Sequence, residues 1–492
     1  MSVSSSSRVD NGSKIDYDLI IIGGGVVGLS ILRAATLHGY TCACVEQETD
    51  LVHWASGSNS GIACTGVDAA PGSLERALIR DALSHLRWFA RDMNVPMRPC
   101  GSLVLGQWQH EPNDADGNES QEDKVTLDQR LHHVLAESHD AGDTHAVLWT
   151  PEQVLEREPN LHPDTMANGQ GAVYIPGEIV LEPWLFPIAM AVQARENGAH
   201  IYTNFPVDIA ASSFDGTRWT IQRKPPSQQK PLAKDDEDAP HSLTARAVVS
   251  ATGLWADEIE QHAIPTRPCP WQARPRRGQY RVFSVPSSAT NDVPFLTHPI
   301  QPVPTQRTKG VFVFSTLYDQ IVVGPTALDQ DSKTDRSVDP VVSERLTQTA
   351  RCLLPRLFEH DHNDNSNVVG DYVGIRPATD QRDYQIHVNY PRKWIACAGI
   401  RSTGTYRMTG GLAERGRDGW HRLGASNWKW VFLTFLFYLC PIYRRIDSES
   451  GYRPTHCTLT WTWFASRTST SCCGALHTAA STQRAGGRVS RT

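Results

Sequence analysis

Apolar residues near the start of the chain fall into runs that predict a strand, a helix and a second strand. Residues 17–22, YDLIII, are continuously apolar and end in three glycines, which is typical of a strand buried on both faces. Residues 26–38 carry apolar side chains at helical spacing as far as Gly39, and glycine commonly ends helices. Residues 41–45 predict the second strand. This order predicts a parallel sheet.

The pattern beyond this unit, up to about residue 404, mixes helices with many short strands. Helical spacing predicts helices at residues 75–92, 183–197 and 340–357. Short apolar or alternating runs predict strands at residues 101–105, 201–223, 247–250, 279–283, 310–315, 320–324 and 394–398. Two polar stretches, 107–143 and 224–241, predict solvated insertions. The sequence therefore predicts an α/β fold that is α+β overall.

Composition indicates an ordinary globular enzyme. The 492 residues are 20% charged and 40% hydrophobic, and this length allows two or three domains. The formal net charge of -6 provides no basic field, so nucleic acid is not an expected partner. The 11 cysteines lack the spacing of zinc ligands, so we expect a reduced intracellular chain without a metal site.

The two ends of the chain differ from its middle. Residues 1–16 are polar and Ser-rich, which predicts a disordered lead-in and a cytoplasmic protein, with the mitochondrion as the alternative. Residues 428–443 are strongly apolar, but they fall short of the about 20 residues that span a bilayer, so membrane association is not favoured. Residues 405–492 have Arg-dominated charge and little periodicity, which predicts an atypical, unstructured tail.

A glycine motif joins the first strand to the first helix. Gly23, Gly25 and Gly28 fit the pattern G-x-G-x-x-G, which allows a tight turn, approach of a pyrophosphate and packing of helix on strand. The N-terminus of the helix stabilises a diphosphate through its free N–H groups and its dipole. Glu46 ends the next strand, where a carboxylate accepts from ribose hydroxyls and repels a 2′-phosphate. The motif predicts FAD or NAD, against a glycine turn without a ligand.

Small polar residues shortly after Glu46 favour FAD over NAD. Residues 55–61, ASGSNSG, are all small, and most of their side chains can form hydrogen bonds. Such a run suits close wrapping of an extended ligand beyond its pyrophosphate. The alternative is a plain flexible loop.

With these motifs, the sequence resembles the FAD-dependent oxidoreductase family that contains D-amino-acid oxidase and glycine oxidase. Within that family it is most similar to flavin-linked glycerol-3-phosphate dehydrogenases and L-2-hydroxyglutarate oxidases. The resemblance covers roughly residues 17–404. The matching stretches are YDLIIIGGGVVGLS with Glu46, ASGSNSGIACTGVDAAPGSLE from residue 55, CGSLVL from 100, GEIVLEP from 177, ATGLWADEI from 251, PRRGQY from 275, TKGVFVFSTLYDQIVVGPTA from 308, VGIRPAT from 373 and AGIRSTG from 398.

The resemblance implies a Rossmann-like FAD domain interleaved with a substrate domain that is built on a large antiparallel sheet. Residues 17–85, 170–275 and 366–404 would form the FAD domain, and residues 86–169 and 276–365 the substrate domain. The flavin ring would lie where the two meet. Beyond the fingerprint residues, the resemblance implies FAD contacts from Ser56, Asn59, Ser60, Gly61, Gly253, Gly399, Arg401, Ser402, Thr403 and Gly404.

The chain departs from the family pattern at two places. Relatives of the dehydrogenase type have a histidine close to the flavin where this chain has Cys64. Histidine is a ready general base near neutral pH, whereas a thiol needs a lowered pKa for that role. Small apolar packing beside the flavin is therefore the favoured interpretation of Cys64. After Gly404, the chain continues with sequence unrelated to the family, so either the tail is divergent or its reading frame is misassigned.

The resemblance also suggests which residues hold the substrate. Arg376 is the candidate clamp for an anionic group, because guanidinium geometry matches carboxylate and phosphate. The alternative for Arg376 is an ion pair with Asp371 or Asp380. Lys309 is a secondary candidate for substrate or flavin charge, and Arg401 would lend positive charge to the reduced flavin.

Three functions remain open from the sequence. The leading hypothesis is an FAD-dependent enzyme that oxidises a small anionic alcohol, glycerol-3-phosphate or a 2-hydroxy acid, with oxygen or a quinone as electron acceptor. The second is an amine or amino-acid oxidase on the same scaffold. The third is a catalytically silent flavin-binding protein, which is suggested by Cys64 and the unusual tail.

Overall fold

Three β-sheets and seven α-helices make up the part of the chain that the computed structural model describes, which is residues 15–105, 127–166, 169–225, 240–286, 294–304, 310–359 and 366–401. Of the regions predicted from sequence, the tail at 405–492 and its apolar run at 428–443 lie outside these residues, as does nearly all of the lead-in at 1–16. Among the described helices, none is long and apolar enough to cross a bilayer.

The first sheet has eight strands and a parallel centre. Strand β1 lies between β2 and β12 and runs parallel to both, with Ile21 opposite Cys44 on one side and Val249 on the other. The side chains of β1 and β2 are almost all buried, as continuous apolar runs predict. The strands are β1 (Tyr17–Ile22), β2 (Cys42–Val45), β9 (His200–Tyr202), β10 (Val207–Phe214), β11 (Trp219–Arg223), β12 (Ser242–Ser250), β19 (Gln385–Asn389) and β20 (Trp394–Ala398).

Helices that pack on or beside this sheet begin close to the carboxyl ends of its strands. Helix α1 (Val26–Leu37) follows β1 directly and packs against α5 (Leu185–Glu196), while α6 (Ala256–Ala263) follows β12. Ligands of doubly wound sheets bind at the carboxyl ends of the strands, so a nucleotide site is expected at this edge of the sheet.

The second sheet has nine strands and is mostly antiparallel. Its order is β17-β13-β16-β15-β14-β5-β7-β6, with β18 on the other side of β13. The central pair β13 and β18 is long, with Gly278 opposite Gly374 and Tyr280 opposite Tyr372. The strands are β5 (Ser102–Leu105), β6 (Val147–Trp149), β7 (Ala172–Ile175), β13 (Arg276–Phe283), β14 (Ile300–Pro302), β15 (Phe312–Ser315), β16 (Ile321–Gly324), β17 (Leu328–Asp329) and β18 (Val368–Arg376).

The two faces of this second sheet have different partners. One face packs on helix α7 (Pro340–Leu353) in a core that includes Phe283, Val323 and Leu346. The opposite face presents Tyr280, Phe314 and other apolar side chains to Ile62 and Cys64. Because side chains alternate along a strand, neighbouring residues of each strand serve these two different surfaces.

The remaining elements are a small sheet and three helices. A three-stranded sheet joins β3 (Ile62–Ala63), β8 (Ile179–Leu181) and β4 (Met97–Arg98), with Ile62 opposite Val180. The other helices are α2 (Leu74–Asp92), α3 (Leu127–Asp140) and α4 (Pro151–Arg157).

The predicted α/β fold is confirmed, with local corrections. The interpretation of residues 107–143 as a solvated insertion is wrong over α3, because Leu131 and Val134 on one face of this polar helix are buried against β7. Residues 201–223 contain strands β9, β10 and β11, as predicted; β10 and β11 pair with each other, whereas β9 pairs with β2. The two-domain boundaries remain a prediction. Strands β7 and β18 fall within the proposed FAD-domain segments, but both belong to the second sheet, where β7 pairs with β5 and β6 and β18 pairs with β13.

Candidate functional site

Steric contacts explain the glycine turn between β1 and α1. Gly23 has φ of +110°, and a Cβ there would lie 2.5 Å from the carbonyl oxygen of Ala251. A Cβ on Gly28 would lie 1.9 Å from the carbonyl oxygen of Gly23. Both positions therefore require glycine for the turn itself, before any ligand is considered.

Gly25 differs, because a Cβ there would have one side-chain atom and no backbone atom as a close neighbour. It is the N-cap residue of α1 and has ordinary extended backbone, and a Cβ would lie no closer than 3.2 Å to Ser56 Oγ. The first turn of α1 contains no acidic residue. Gly25 therefore lies at a helix N-terminus whose dipole favours an anion.

Glu46 is fixed at the floor of this region by backbone donors. Gly24 N–H donates to Oε2 at 2.6 Å and Glu48 N–H donates to Oε1 at 3.0 Å. Burial raises the pKa of the carboxyl, and these two donors oppose the rise. Each carboxylate oxygen has a further acceptor position, so Glu46 can still accept hydrogen bonds from a diol.

A cavity of about 420 Å³ lies over the turn and Glu46. Trp54 and Trp255, whose rings meet edge to face at 4.9 Å, both line it. Of the predicted cofactor-binding residues, the cavity is lined by Gly23, Gly25, Glu46, Ser56, Asn59, Gly253, Gly399 and Arg401. The donor set of a helix N-terminus, a carboxylate and small polar side chains fits the diphosphate and ribose of FAD.

The other predicted cofactor residues have different positions. Gly28 packs beneath the turn. Gly61 has φ of +76° and lies against the carbonyl oxygen of Leu181, which explains why it is glycine. Ser60 lines a second cavity rather than the first. Ser402, Thr403 and Gly404, together with the catalytic candidate Lys309, lie outside the described residues.

The second cavity has a volume of about 450 Å³ and adjoins the first, since His53 and Asn59 line both. One wall is the loop from Gly57 to Ser60, and another is the face of the second sheet that carries Tyr372. Polar and charged groups on its walls are Ser58, Glu182, Thr316, Gln320 and Arg336. These residues come from distant parts of the chain, so the sequence carried no local signal that would group them.

Arg376 lies at the end of β18, near the second cavity but outside its lining. On the same strand face, two residues earlier, a Cβ on Gly374 would lie 2.8 Å from Ser58 of the loop at residues 55–61, so the loop passes close to this strand. Both terminal nitrogens of Arg376 donate to the carbonyl oxygen of Thr326 at 3.2 Å. Burial lowers the pKa of the guanidinium, and the neighbouring Tyr280 opposes that effect.

The ion pairs considered for Arg376 do not form within the described residues. Asp371 accepts from Ser343 Oγ at 3.0 Å, and Asp380 accepts from the backbone N–H of Gln272 at 2.9 Å. The guanidinium is thus held by neutral partners, which leaves its charge available to an anion.

Cys64 is buried in the apolar cluster on the same sheet face, with Tyr280, Phe312 and Phe314. Its thiol lies 3.7 Å from the carbonyl oxygen of Ile62. These apolar surroundings fit a packing role for Cys64 better than a role as a general base. Arg401, by contrast, donates to the carbonyl oxygen of Arg382 beside the first cavity.

Comparison with known proteins agrees with this geometry. The family model described as "FAD dependent oxidoreductase" matches residues 18–413. A glycerol 3-phosphate dehydrogenase of Caloramator mitchellensis is 28% identical over 79% of this chain and 70% of its own length. A glycerol 3-phosphate oxidase of Mycoplasma pneumoniae is 25% identical over 79% and 90%. A mitochondrial L-2-hydroxyglutarate dehydrogenase of Nematostella vectensis is 26% identical over 54% and 53%.

Solved structures show the same fold. The FAD-bound L-alpha-glycerophosphate oxidase of Mycoplasma pneumoniae has a TM-score of 0.62 at 22% identity, covering 80% of this chain and 92% of that one. The glycine oxidase of Geobacillus kaustophilus has a TM-score of 0.63 at 20% identity, covering 81% and 94%. The family match spans the glycine turn, both cavities and most of both large sheets, and the cavity over the turn suits a dinucleotide. The chain therefore belongs to the FAD-dependent oxidoreductase family and uses FAD as its cofactor.

Proposed function

We propose that this FAD-dependent oxidoreductase oxidises a small anionic alcohol, either glycerol-3-phosphate or a 2-hydroxy acid such as L-2-hydroxyglutarate. Relatives named for these substrates align with much of the chain, which supports the choice. The main structural support is Arg376, a guanidinium without a carboxylate partner among the described residues, on the sheet face that meets the loop at 55–61.

FAD, when bound, supplies the group that accepts a hydride. The first cavity would hold its dinucleotide part through Gly25, Glu46 and Ser56. Arg376 would bind the anionic group of the substrate. A guanidinium has five N–H groups, so its bonds to Thr326 and Tyr280 leave donors for a carboxylate or phosphate.

A catalytically silent flavoprotein is the second candidate, and the position of Cys64 favours it. A thiol enclosed by Tyr280, Phe312 and Phe314 is poorly placed to take a proton from a substrate. An amine or amino-acid oxidase is the third candidate, and it differs from the first in the substrates it would accept.

Anaerobic bleaching of the bound flavin separates these candidates. Purified protein should be bleached by glycerol-3-phosphate or L-2-hydroxyglutarate, and only weakly by glycine, other amino acids or glycerol. Arg376→Lys should raise the KM for the anionic substrate while the FAD content stays unchanged, because an ammonium cannot form the two-pronged contact. Bleaching by amino acids alone would establish the oxidase, and a flavin that no substrate bleaches would establish the silent protein.

The electron acceptor and the compartment belong to the same proposal. Oxygen and a quinone are both retained as acceptors, since the relatives include both an oxidase and dehydrogenases. The cytoplasm is the proposed compartment, and the mitochondrion is the alternative because some relatives are mitochondrial. Reoxidation of the bleached flavin by oxygen, compared with a soluble quinone, decides the first point.

A further inference from the structure

An arginine that the sequence did not single out lines the second cavity. Arg336 lies in the segment between β17 and α7, and it lines the cavity together with Glu182 and Trp184 of the segment that follows β8. Arg376, the arginine predicted from the family motif, is outside the lining of this cavity. The guanidinium that a molecule in this cavity would meet is therefore that of Arg336.

Neutral groups hold Arg336 in place. One terminal nitrogen donates to the carbonyl oxygen of His53 at 3.2 Å, and the other lies 3.0 Å from Nε2 of His53. The guanidinium carbon stands 4.6 Å from the centre of the Trp54 ring. Among the described residues Arg336 has no ion pair, so it is immobilised while its charge is not neutralised. That is the state of an arginine prepared to bind an anion.

The acidic groups beside this segment already have another partner. Lys333, three residues before Arg336, forms ion pairs with Asp257 at 2.8 Å and with Glu258 at 2.6 Å on α6. These contacts fix the segment to α6. Lys333 thus supplies a natural control, because it anchors the same segment without lining the second cavity.

The rest of the cavity suits a small polar molecule. Ser58, Thr316 and Gln320 provide hydroxyl and amide groups, and Val282, Phe314 and Val322 provide an apolar wall. Glu182 is the carboxyl on the wall, and its burial raises its pKa while the Leu317 backbone amide opposes the rise.

We propose that Arg336 is a second anion-binding residue in addition to Arg376, and that it binds the carboxylate or phosphate at the end of the substrate that is remote from the reacting carbon. This assignment rests on the proposed function, since it assumes an anionic alcohol. It makes Arg336 a specificity-determining residue: an alcohol with an anionic distal end is preferred over a neutral-ended analogue of similar size.

Anaerobic flavin reduction with paired substrates tests the assignment. L-2-hydroxyglutarate is compared with L-2-hydroxybutyrate, and glycerol-3-phosphate with glycerol, so that each pair differs in the distal charge. The pair with the larger wild-type preference identifies carboxylate or phosphate as the group bound. Arg336→Gln should reduce that preference by about 10- to 100-fold, the range expected for a charged hydrogen bond. Arg336→Lys should retain part of it.

Control variants separate binding from mere positioning. Lys333→Gln loosens the same segment, and Arg345→Gln removes an equal charge from the exposed side of α7. Both should keep the wild-type preference, and all three glutamine variants should keep the wild-type FAD content. An Arg336→Gln protein with unchanged preference, or with equal losses on charged and neutral substrates, overturns the assignment while leaving the proposed function intact. Failure of every alcohol to reduce the wild-type flavin overturns both.

Discussion

Burial shifts the pKa of several ionisable side chains in this protein, and Glu178 is the clearest case. Glu178 directly precedes β8 and is 1% exposed, and Gln301 Nε2 donates to its carboxyl group at 3.2 Å. Burial raises its pKa from 4.5 to about 7, despite hydrogen bonds from Ser102 and Thr65. With a pKa near 7, the buried Glu178 carboxyl is mainly protonated at acidic pH.

This pKa predicts a pH-dependent stability. The folded protein binds a proton at Glu178 that the unfolded chain has released, so stability falls as pH rises from about 4.5 to about 7. Glu178→Gln should remove this loss, which is on the order of 3 kcal/mol for a shift of that size. Melting temperatures at about pH 5 and about pH 8 measure it. A variant with the same pH dependence as wild type would show that Glu178 is not the group responsible.

At the scale of elements, local signals predicted the structure wherever neighbours in sequence are neighbours in space. The turn at Gly23 and Gly28 could be predicted, because a side chain at either position would clash with nearby backbone. For Gly28 that backbone is only a few residues away, and for Gly23 it follows the adjoining strand. Helix α3 could not be predicted, because few of its residues are apolar. The burial of Leu131 and Val134 depends on contact with β7, which is distant in sequence. The second cavity could not either, since His53, Glu182 and Arg336 meet only through the tertiary fold.

Helix α7 offers a test of one such local signal. Asp339 precedes Pro340 and accepts from the backbone N–H groups of Val341 at 2.8 Å and Val342 at 3.4 Å, which makes it the N-cap. Loss of a cap of this kind costs about 1 kcal/mol. Asp339→Ala should therefore lower the denaturant midpoint, whereas Asp339→Ser should keep most of it. Equal losses in the two variants would mean that the cap bond is not what stabilises α7.

The whole molecule combines a parallel sheet that carries the glycine turn with an antiparallel sheet whose free face borders the second cavity. The family resemblance predicted this pairing of sheets from motifs scattered over 17–404, and the family match over 18–413 confirms the resemblance. Motifs could identify Arg376 by its strand, but its contact with Thr326 depends on a turn after β16 that no motif encodes. The domain boundaries and the tail at 405–492 stay predictions.

The central claim is that FAD is bound at the turn between β1 and α1, and the Gly25 position tests it most directly. Gly25 has backbone geometry that any residue adopts, and an added Cβ would have Ser56 Oγ, at 3.2 Å, as its one neighbour within 4 Å. Gly25→Val should therefore fold with a melting temperature close to that of wild type without ligand, yet fail to bind FAD because valine occupies the space at the helix N-terminus.

The decisive measurement is the flavin released by acid from equal amounts of wild-type and Gly25→Val protein after reconstitution. We expect the wild-type protein to release FAD, not FMN, at close to one equivalent per chain, and the variant to release almost none. Wild-type FAD content in the Gly25→Val protein, or a wild-type protein that cannot be reconstituted with FAD, would contradict this expectation.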